Sequence, residues 1–224
     1  ALHSGHGEFN RLVLAPGDPV ECQELTSQAF YFSQKYRIPA LILSDKHLAE
    51  SIYSYPSSSQ PEIKKSEKSL KFGRFNSNEH DKNENVTDKA RLLTQNADNR
   101  IKKGKEIAKE SKKFETFKVY GKKDSKNLVI FWGSTKGAVL DAIKGLNIKA
   151  LQVLYMNPFP DQIAADLTKA ENILIVENNS TSQLAQLISN KTCIKIDDKN
   201  KILKYDGRPF MSDKLRDEIS RRIK

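Results

Sequence analysis

The sequence predicts an α/β protein in three parts: a partial parallel-sheet unit, a long charged linker and a small α/β unit. Three observations carry this. Short continuous apolar runs, such as Leu12-Val13-Leu14-Ala15 and Leu128-Val129-Ile130-Phe131-Trp132, read as strands buried on both faces. Segments with apolar residues at helical spacing alternate with those runs, which is the pattern of a parallel sheet. Between the two groups lies a polar, highly charged stretch that cannot bury a core by itself.

The first part covers residues 1–53. Its first strand is closed by Pro16-Gly17, and Asp18 with Pro19 then opens a helix as N-cap and first helical residue. Cys22, Leu25, Ala29, Phe32 and Tyr36 step by three and four, so they form the helix's predicted core stripe. Ala40-Leu41-Ile42-Leu43 follows as a second buried strand, and Asp45 caps a short helix. Two strands and one helix cannot close a parallel sheet, so this part reads as the last piece of a larger domain.

Residues 54–113 form the linker. It holds a Ser57-Ser58-Ser59 tract and one predicted amphipathic helix over 88–112, with Ala90, Leu93, Ala97, Ile101 and Ile107 as its apolar stripe.

Residues 114–224 form the third part. Strands are expected at 117–120, 128–132, 150–155 and 173–176, with a short edge strand at 193–196. Helices are expected after Ser134, from Asp161, after Ser180 and from Ser212. Strand–helix alternation of this kind gives a mostly parallel sheet with right-handed crossovers.

Composition narrows the function. The 224 residues carry 38 Lys+Arg against 28 Asp+Glu, a net charge of +10. Lys greatly outnumbers Arg, and Arg is the better reader of phosphate and guanine, so the charge reads first as an ordinary solvated surface, with a basic nucleic-acid-binding module as the alternative. No apolar run approaches the roughly 18–20 residues of a membrane span. The two cysteines, Cys22 and Cys193, cannot build a four-cysteine metal or cluster site, and their scarcity fits the reducing cytoplasm. Cys22 lies in the apolar stripe and reads as core.

Few constellations carry chemistry. His3, His6 and Glu8 crowd the glycine-flanked loop before the first strand, but His47 and His80 supply no third ligand at metal spacing, so no metal site is predicted. Gly133-Ser134-Thr135-Lys136-Gly137 links a strand to a helix, a natural place for an anion, although it lacks the full phosphate-loop spacing. Glu177-Asn178-Asn179-Ser180-Thr181 occupies the matching end of the next strand. Ser134, Thr135, Asn178 and Asn179 should therefore share one rim, the edge where open α/β sheets bind ligands or partners.

Several motifs line up with one family. They are Ser4-Gly5-His6-Gly7-Glu8-Phe9, the segments 12–18 and 41–51, Asn78-Glu79-His80-Asp81, Trp132-Gly133-Ser134-Thr135 with Gly137, Pro158-Phe159-Pro160, Glu177-Asn178-Asn179 with Gln183-Leu184, and Asp206-Gly207-Arg208-Pro209-Phe210. In this order and spacing the chain resembles the alpha subunit of 2-oxoacid:ferredoxin oxidoreductases, in the version closest to the 2-oxoglutarate type. Asn10 departs from the pattern, since Pro is common there.

The resemblance implies a thiamine diphosphate enzyme with Mg2+, built with a beta subunit that carries an iron–sulfur cluster. Such an enzyme decarboxylates a 2-oxoacid oxidatively to an acyl-CoA and passes electrons to ferredoxin. Residues 1–53 would then be the C-terminal part of a thiamine pyrimidine-binding domain, and 114–224 a transketolase C-terminal-like domain. His6 and Glu8 would approach the cofactor or the subunit interface. The catalytic residues would lie upstream of Ala1 or in the partner, so the chain reads as a C-terminal portion that is inactive alone. Other thiamine enzymes, transketolase-like or of the dehydrogenase E1 beta type, share the domain order. The linker motif and the Asp206-to-Phe210 motif argue against them.

Overall fold

The computed structural model describes residues 1–56, 76 and 78–223. The Ser57-Ser58-Ser59 tract lies outside the described residues. The described residues form a five-stranded and a three-stranded sheet. In order, the elements are β1 (Leu12–Leu14), α1 (Pro19–Tyr36), β2 (Ala40–Ile42), α2 (Lys46–Glu50) and α3 (Ala90–Ser111). Then come β3 (Phe117–Gly121), β4 (Asn127–Trp132), α4 (Lys136–Ala142), β5 (Lys149–Val153) and β6 (Tyr155–Asn157). The chain ends with α5 (Ile163–Lys169), β7 (Asn172–Glu177), α6 (Gln183–Thr192), β8 (Lys201–Leu203) and α7 (Ser212–Arg222).

The five-stranded sheet has the order β3-β5-β4-β7-β8. β5, β4, β7 and β8 run parallel, and β3 closes one edge antiparallel to β5. Alternation along the strands feeds two cores. Leu128, Ile130, Leu151, Val153 and Ile175 point to the face covered by α5 and α6. Val129, Phe131, Ala150, Leu174 and Val176 point to the face covered by α4 and α7. Burial on both faces is why these strands read as unbroken apolar runs. Arg222 covers the outer edge, donating from Nη1 to the carbonyls of Lys199 at 2.7 Å and Lys201 at 2.9 Å. That cap blunts β8 against further strand pairing.

The predicted strand over 150–155 is two strands. The chain leaves the large sheet at Leu154 and enters the small one as β6. The break is held by Thr116, whose carbonyl accepts from both Leu154 N at 3.1 Å and Tyr155 N at 3.0 Å. β6 then pairs antiparallel with β1, whose other side pairs parallel with β2. The small sheet thus gains its third strand from the third part of the chain.

Four expectations are corrected. β2 is an edge strand, with Ile42 37% exposed, because nothing described pairs with its outer side. The core face of α1 is Glu21, Leu25, Gln28, Ala29 and Phe32, while Cys22 is only half-buried. Ile101 of α3 is 59% exposed, and only the last turns of that helix, at Ile107, Glu110 and Ser111, are buried. Residues 193–196 form no strand: Cys193 ends α6 in the left-handed region, and the last strand of the sheet is β8.

α3 reaches the body through α1. Tyr31 donates to Glu110 Oε1 at 2.7 Å, Lys35 donates to the same oxygen at 2.8 Å, and Phe114 packs on Tyr31 and Phe32.

Candidate functional site

The C-terminal ends of β4 and β7 meet the end of β2 at one rim. A small cavity of about 100 Å³ there is lined by Leu43, Asp45, Trp132, Ser134, Thr135 and Asn178, among others. A larger cavity, about 530 Å³, uses Leu43 and Trp132 as a shared wall and continues toward Asn157, Leu184 and Lys191. The structure thus brings Ser134, Thr135 and Asn178 together on one edge.

The roles within the rim differ from those read in the sequence. Ser134 does not cap α4. Its hydroxyl donates to Asp45 Oδ2, while Asp45 Oδ1 accepts from Leu48 N at 2.9 Å and caps α2. One carboxylate therefore ties α2 to the turn after β4. Thr135 Oγ1 donates to the Trp132 carbonyl at 2.7 Å. Both hydroxyls are buried and already partnered, because the turn folds inward against the small sheet.

Ser180 does not cap α6 either. That task falls to Glu177, the last residue of β7, which is fully buried. Its Oε2 accepts from Leu184 N at 2.8 Å and Asn179 Nδ2 at 2.7 Å, and its Oε1 accepts from Ala185 N at 3.1 Å. The Trp132 indole donates to Oε2 at 3.3 Å. A carboxylate at a helix N-terminus fills the place an external anion would take. Asn179 also accepts from Gln183 N at 3.2 Å, so it acts in the same cap. Asn178 remains exposed.

Lys136, the cation of the predicted anion turn, points away from the rim. Its ammonium donates to Glu21 Oε1 at 2.6 Å and to Asp18 Oδ2. Glu21, 1% exposed, also accepts from Lys118 at 3.2 Å, Gln152 Nε2 at 2.6 Å and Gly17 N at 2.7 Å. Burial pulls the Lys136 pKa down, but Glu21 and Asp18 outweigh it and hold the ammonium protonated above its ordinary range. Burial raises the Asp18 carboxyl, yet the Glu21 backbone N–H and Lys136 bring it below its ordinary value. This cluster fastens α1 to the large sheet. Periodicity places Glu21 and Gln28 beside the apolar stripe of α1, but cannot say that partners for Glu21 arrive from β3, α4 and β5, or that the Tyr155 hydroxyl of β6 donates to Gln28.

His6 and Glu8 stand exposed on the loop before β1 and line neither cavity described above. Arg11 anchors that loop, donating to Ala1 O at 3.0 Å and Ser4 O at 2.5 Å, with its guanidinium 4.2 Å from the Phe9 ring centroid. Among the described residues no three His, Cys, Asp or Glu side chains are grouped to hold a metal ion. No helix among them is long and apolar enough to cross a membrane.

No family model matches the chain. Individual relatives do. A 2-oxoacid:ferredoxin oxidoreductase subunit alpha of Saccharolobus solfataricus is 32% identical over 98% of this chain and 40% of its own length. The chain is a homologue of these alpha subunits. A second such subunit, from Sulfurisphaera tokodaii, is 29% identical over all of this chain and 40% of its own length. The 2-oxoglutarate synthase subunit KorA of Methanocaldococcus jannaschii is 26% identical over 78% of this chain and 54% of its own length. The fold agrees as well. The 2-oxoglutarate:ferredoxin oxidoreductase of Magnetococcus marinus, solved with 2-oxoglutarate, coenzyme A and succinyl-CoA, superposes with a TM-score of 0.77 at 20% identity. That match covers 98% of this chain and 43% of the other. This alpha-subunit homologue spans about 40% of the length of the first curated relatives it matches.

Proposed function

We propose that the chain is the C-terminal portion of the alpha subunit of a 2-oxoacid:ferredoxin oxidoreductase, and that the assembled enzyme converts a 2-oxoacid and coenzyme A to an acyl-CoA, CO2 and reduced ferredoxin. The observation that carries the reading is 32% identity along 98% of the chain. Thiamine diphosphate would supply the decarboxylation chemistry when bound. The described residues do not fit its metal or an iron–sulfur cluster, since they group no metal ligands. They do not fit its diphosphate at the rim either, since Glu177 fills the α6 N-terminus. These groups are assigned to the beta subunit and to the rest of the alpha subunit.

In this reading, residues 1–53 close a pyrimidine-binding domain, 54–113 are the linker and 114–224 form the transketolase C-terminal-like domain, in the cytoplasm. The rim of Asp45, Trp132, Ser134 and Asn178 faces the neighbouring subunit or its ligand. Glu177 holds the Trp132 indole and so fixes the wall of that cleft. His6 and Glu8, exposed here, turn toward the cofactor or partner. Sites between subunits exclude water and orient the cofactor by such walls.

The test is co-expression of the complete alpha subunit with its beta subunit, followed by ferredoxin reduction assays with a panel of 2-oxoacids. Coenzyme A-dependent turnover is expected, with 2-oxoglutarate the first substrate to try. Failure of the subunits to co-purify, together with no turnover on any 2-oxoacid, would overturn the reading. Replacing His6 or Glu8 by Ala in that complex should weaken thiamine diphosphate binding; unchanged affinity and turnover remove the role given to them.

A further inference from the structure

Helix α3 is 22 residues long, and only Ile107, Glu110 and Ser111 of it are buried. Its outward face carries Lys102, Lys105, Lys109 and Lys112, all exposed. They step by three, four and three residues, which sets their side chains in one row. At the rise of an α-helix the row runs about 15 Å. Arg91 continues the same face about three turns earlier. The acidic residues on this face are Asp98 and Glu106.

Little of this charge is spent within the chain. Lys112 pairs with Asp161 at 3.1 Å with both side chains more than half exposed, and no ion pair among the described residues involves Lys102, Lys105 or Lys109. Glu110, on the inner face, is taken by Lys35 at 2.8 Å and Lys113 at 2.9 Å. Glu79 is taken by Arg100 at 2.7 Å. At the flank, burial first and then the like charges of Arg37 and Arg100 push the Lys103 ammonium below its ordinary value.

We propose that the row of Lys102, Lys105, Lys109 and Lys112 on α3 is a docking face for an acidic protein surface that associates transiently. Charge complementarity sets the chemistry of the partner. Lysine is depleted from the centres of lasting interfaces, where its desolvation is costly, but exposed lysines on a rigid element speed encounters with an acidic surface. Duplex nucleic acid is the poorer fit because the four residues of the row are all lysine, with Arg91 three turns away, and lysine does not grip phosphate in two places. A membrane surface is the poorer fit because the outward face has no apolar strip to insert. The proposal stands apart from the oxidoreductase reading, since it needs no activity.

The experiment uses the complete alpha subunit assembled with its beta subunit and a fluorescent poly-glutamate peptide as probe, read by anisotropy across a salt series. The variant Lys102→Gln/Lys105→Gln/Lys109→Gln is compared with Lys122→Gln/Lys123→Gln/Lys169→Gln, which removes the same charge from exposed positions elsewhere. All six side chains are exposed, so both variants should keep the parent's circular dichroism and unfolding midpoint. The row variant should bind about tenfold more weakly, the loss of three exposed ion pairs, with a shallower salt dependence, while the control stays near the parent. Equal loss in both variants overturns the proposal, because net charge alone then explains binding. Duplex DNA or phosphatidylserine vesicles binding more tightly than poly-glutamate at equal salt, and losing that binding in the row variant, overturns it as well.

Discussion

The Lys136 ammonium lies 2.6 Å from Glu21 Oε1, across the seam between α1 and the large sheet. The two residues are far apart in sequence, and Glu21 is 1% exposed. A buried carboxylate is tolerated because Lys118, Lys136, Gln152 and Gly17 N satisfy it together. Without Glu21, Lys136 keeps only Asp18 and Lys118 keeps only Glu115 as counter-charges, and Gln152 Nε2 and Gly17 N lose their acceptor.

Glu21→Ala should therefore destabilise the chain by about 1–3 kcal/mol, the range for leaving buried hydrogen-bonding groups without a partner. Pairing Glu21→Leu with Lys136→Met should recover much of that loss. Urea unfolding midpoints of the single and double variants check both statements.

Glu110 gives a pH signature. Hydrogen bonds from Lys35, Tyr31 and Lys113 outweigh burial and hold its carboxyl at about 2, below the ordinary 4.5. A carboxyl depressed on folding stabilises the fold above its unfolded pKa. That contribution should fade as pH falls from about 4.5 toward 2. Glu110→Gln should lower stability at pH 7 and flatten the acid limb. Thermal midpoints across the acid range, compared between parent and variant, would show it.

Glu177 and Trp132 supply an optical reading. Trp132 is the single tryptophan, and its indole donates to Glu177 at 3.3 Å. Glu177→Leu removes the cap of α6 and the indole's acceptor together. It should cost about 2–3 kcal/mol, as loss of hydrogen bonds to a buried charged group does. The tryptophan emission maximum should move with it. An unchanged spectrum would count against the indole–carboxylate contact.

Gly17 is required by close approach. A Cβ added there would meet Gln152 Nε2 at 2.7 Å and the Gly133 carbonyl at 2.8 Å. Gly17→Ala should lower stability by about 1–3 kcal/mol, the cost of overpacking. Gly137→Ala, whose added Cβ meets nothing within 4 Å, should be much milder. Chemical denaturation of the two variants side by side tests the contrast.

Much of the architecture is legible in the sequence because its signals are local. Asp18 caps α1, accepting from Glu21 N, with Pro19 at the first helical position, as the residue types require. Asp45 caps α2 for the same reason. The apolar runs of β4, β5 and β7 announce strands covered on both faces.

What stayed hidden depends on partners distant in sequence. Periodicity cannot say that the run through Leu154 changes sheets, because the hydrogen bonds that divide it come from Thr116 and Ala15. It cannot tell that Glu177 rather than Ser180 caps α6, since the carboxylate reaches the helix only once β7 is seated. Lys136, which reads as the cation of an anion turn, becomes a structural cation because folding brings Asp18 and Glu21 against it. By itself, the sequence determined the α/β class, the starts of α1 and α2 and the family resemblance, all of which rest on residue type and short-range spacing. Only the tertiary structure decided which polar side chains are spent inside the fold and which, like Asn178 and the α3 lysines, remain outside. Burial of charge is affordable only where a complete set of partners converges, and that convergence is a property of the folded chain.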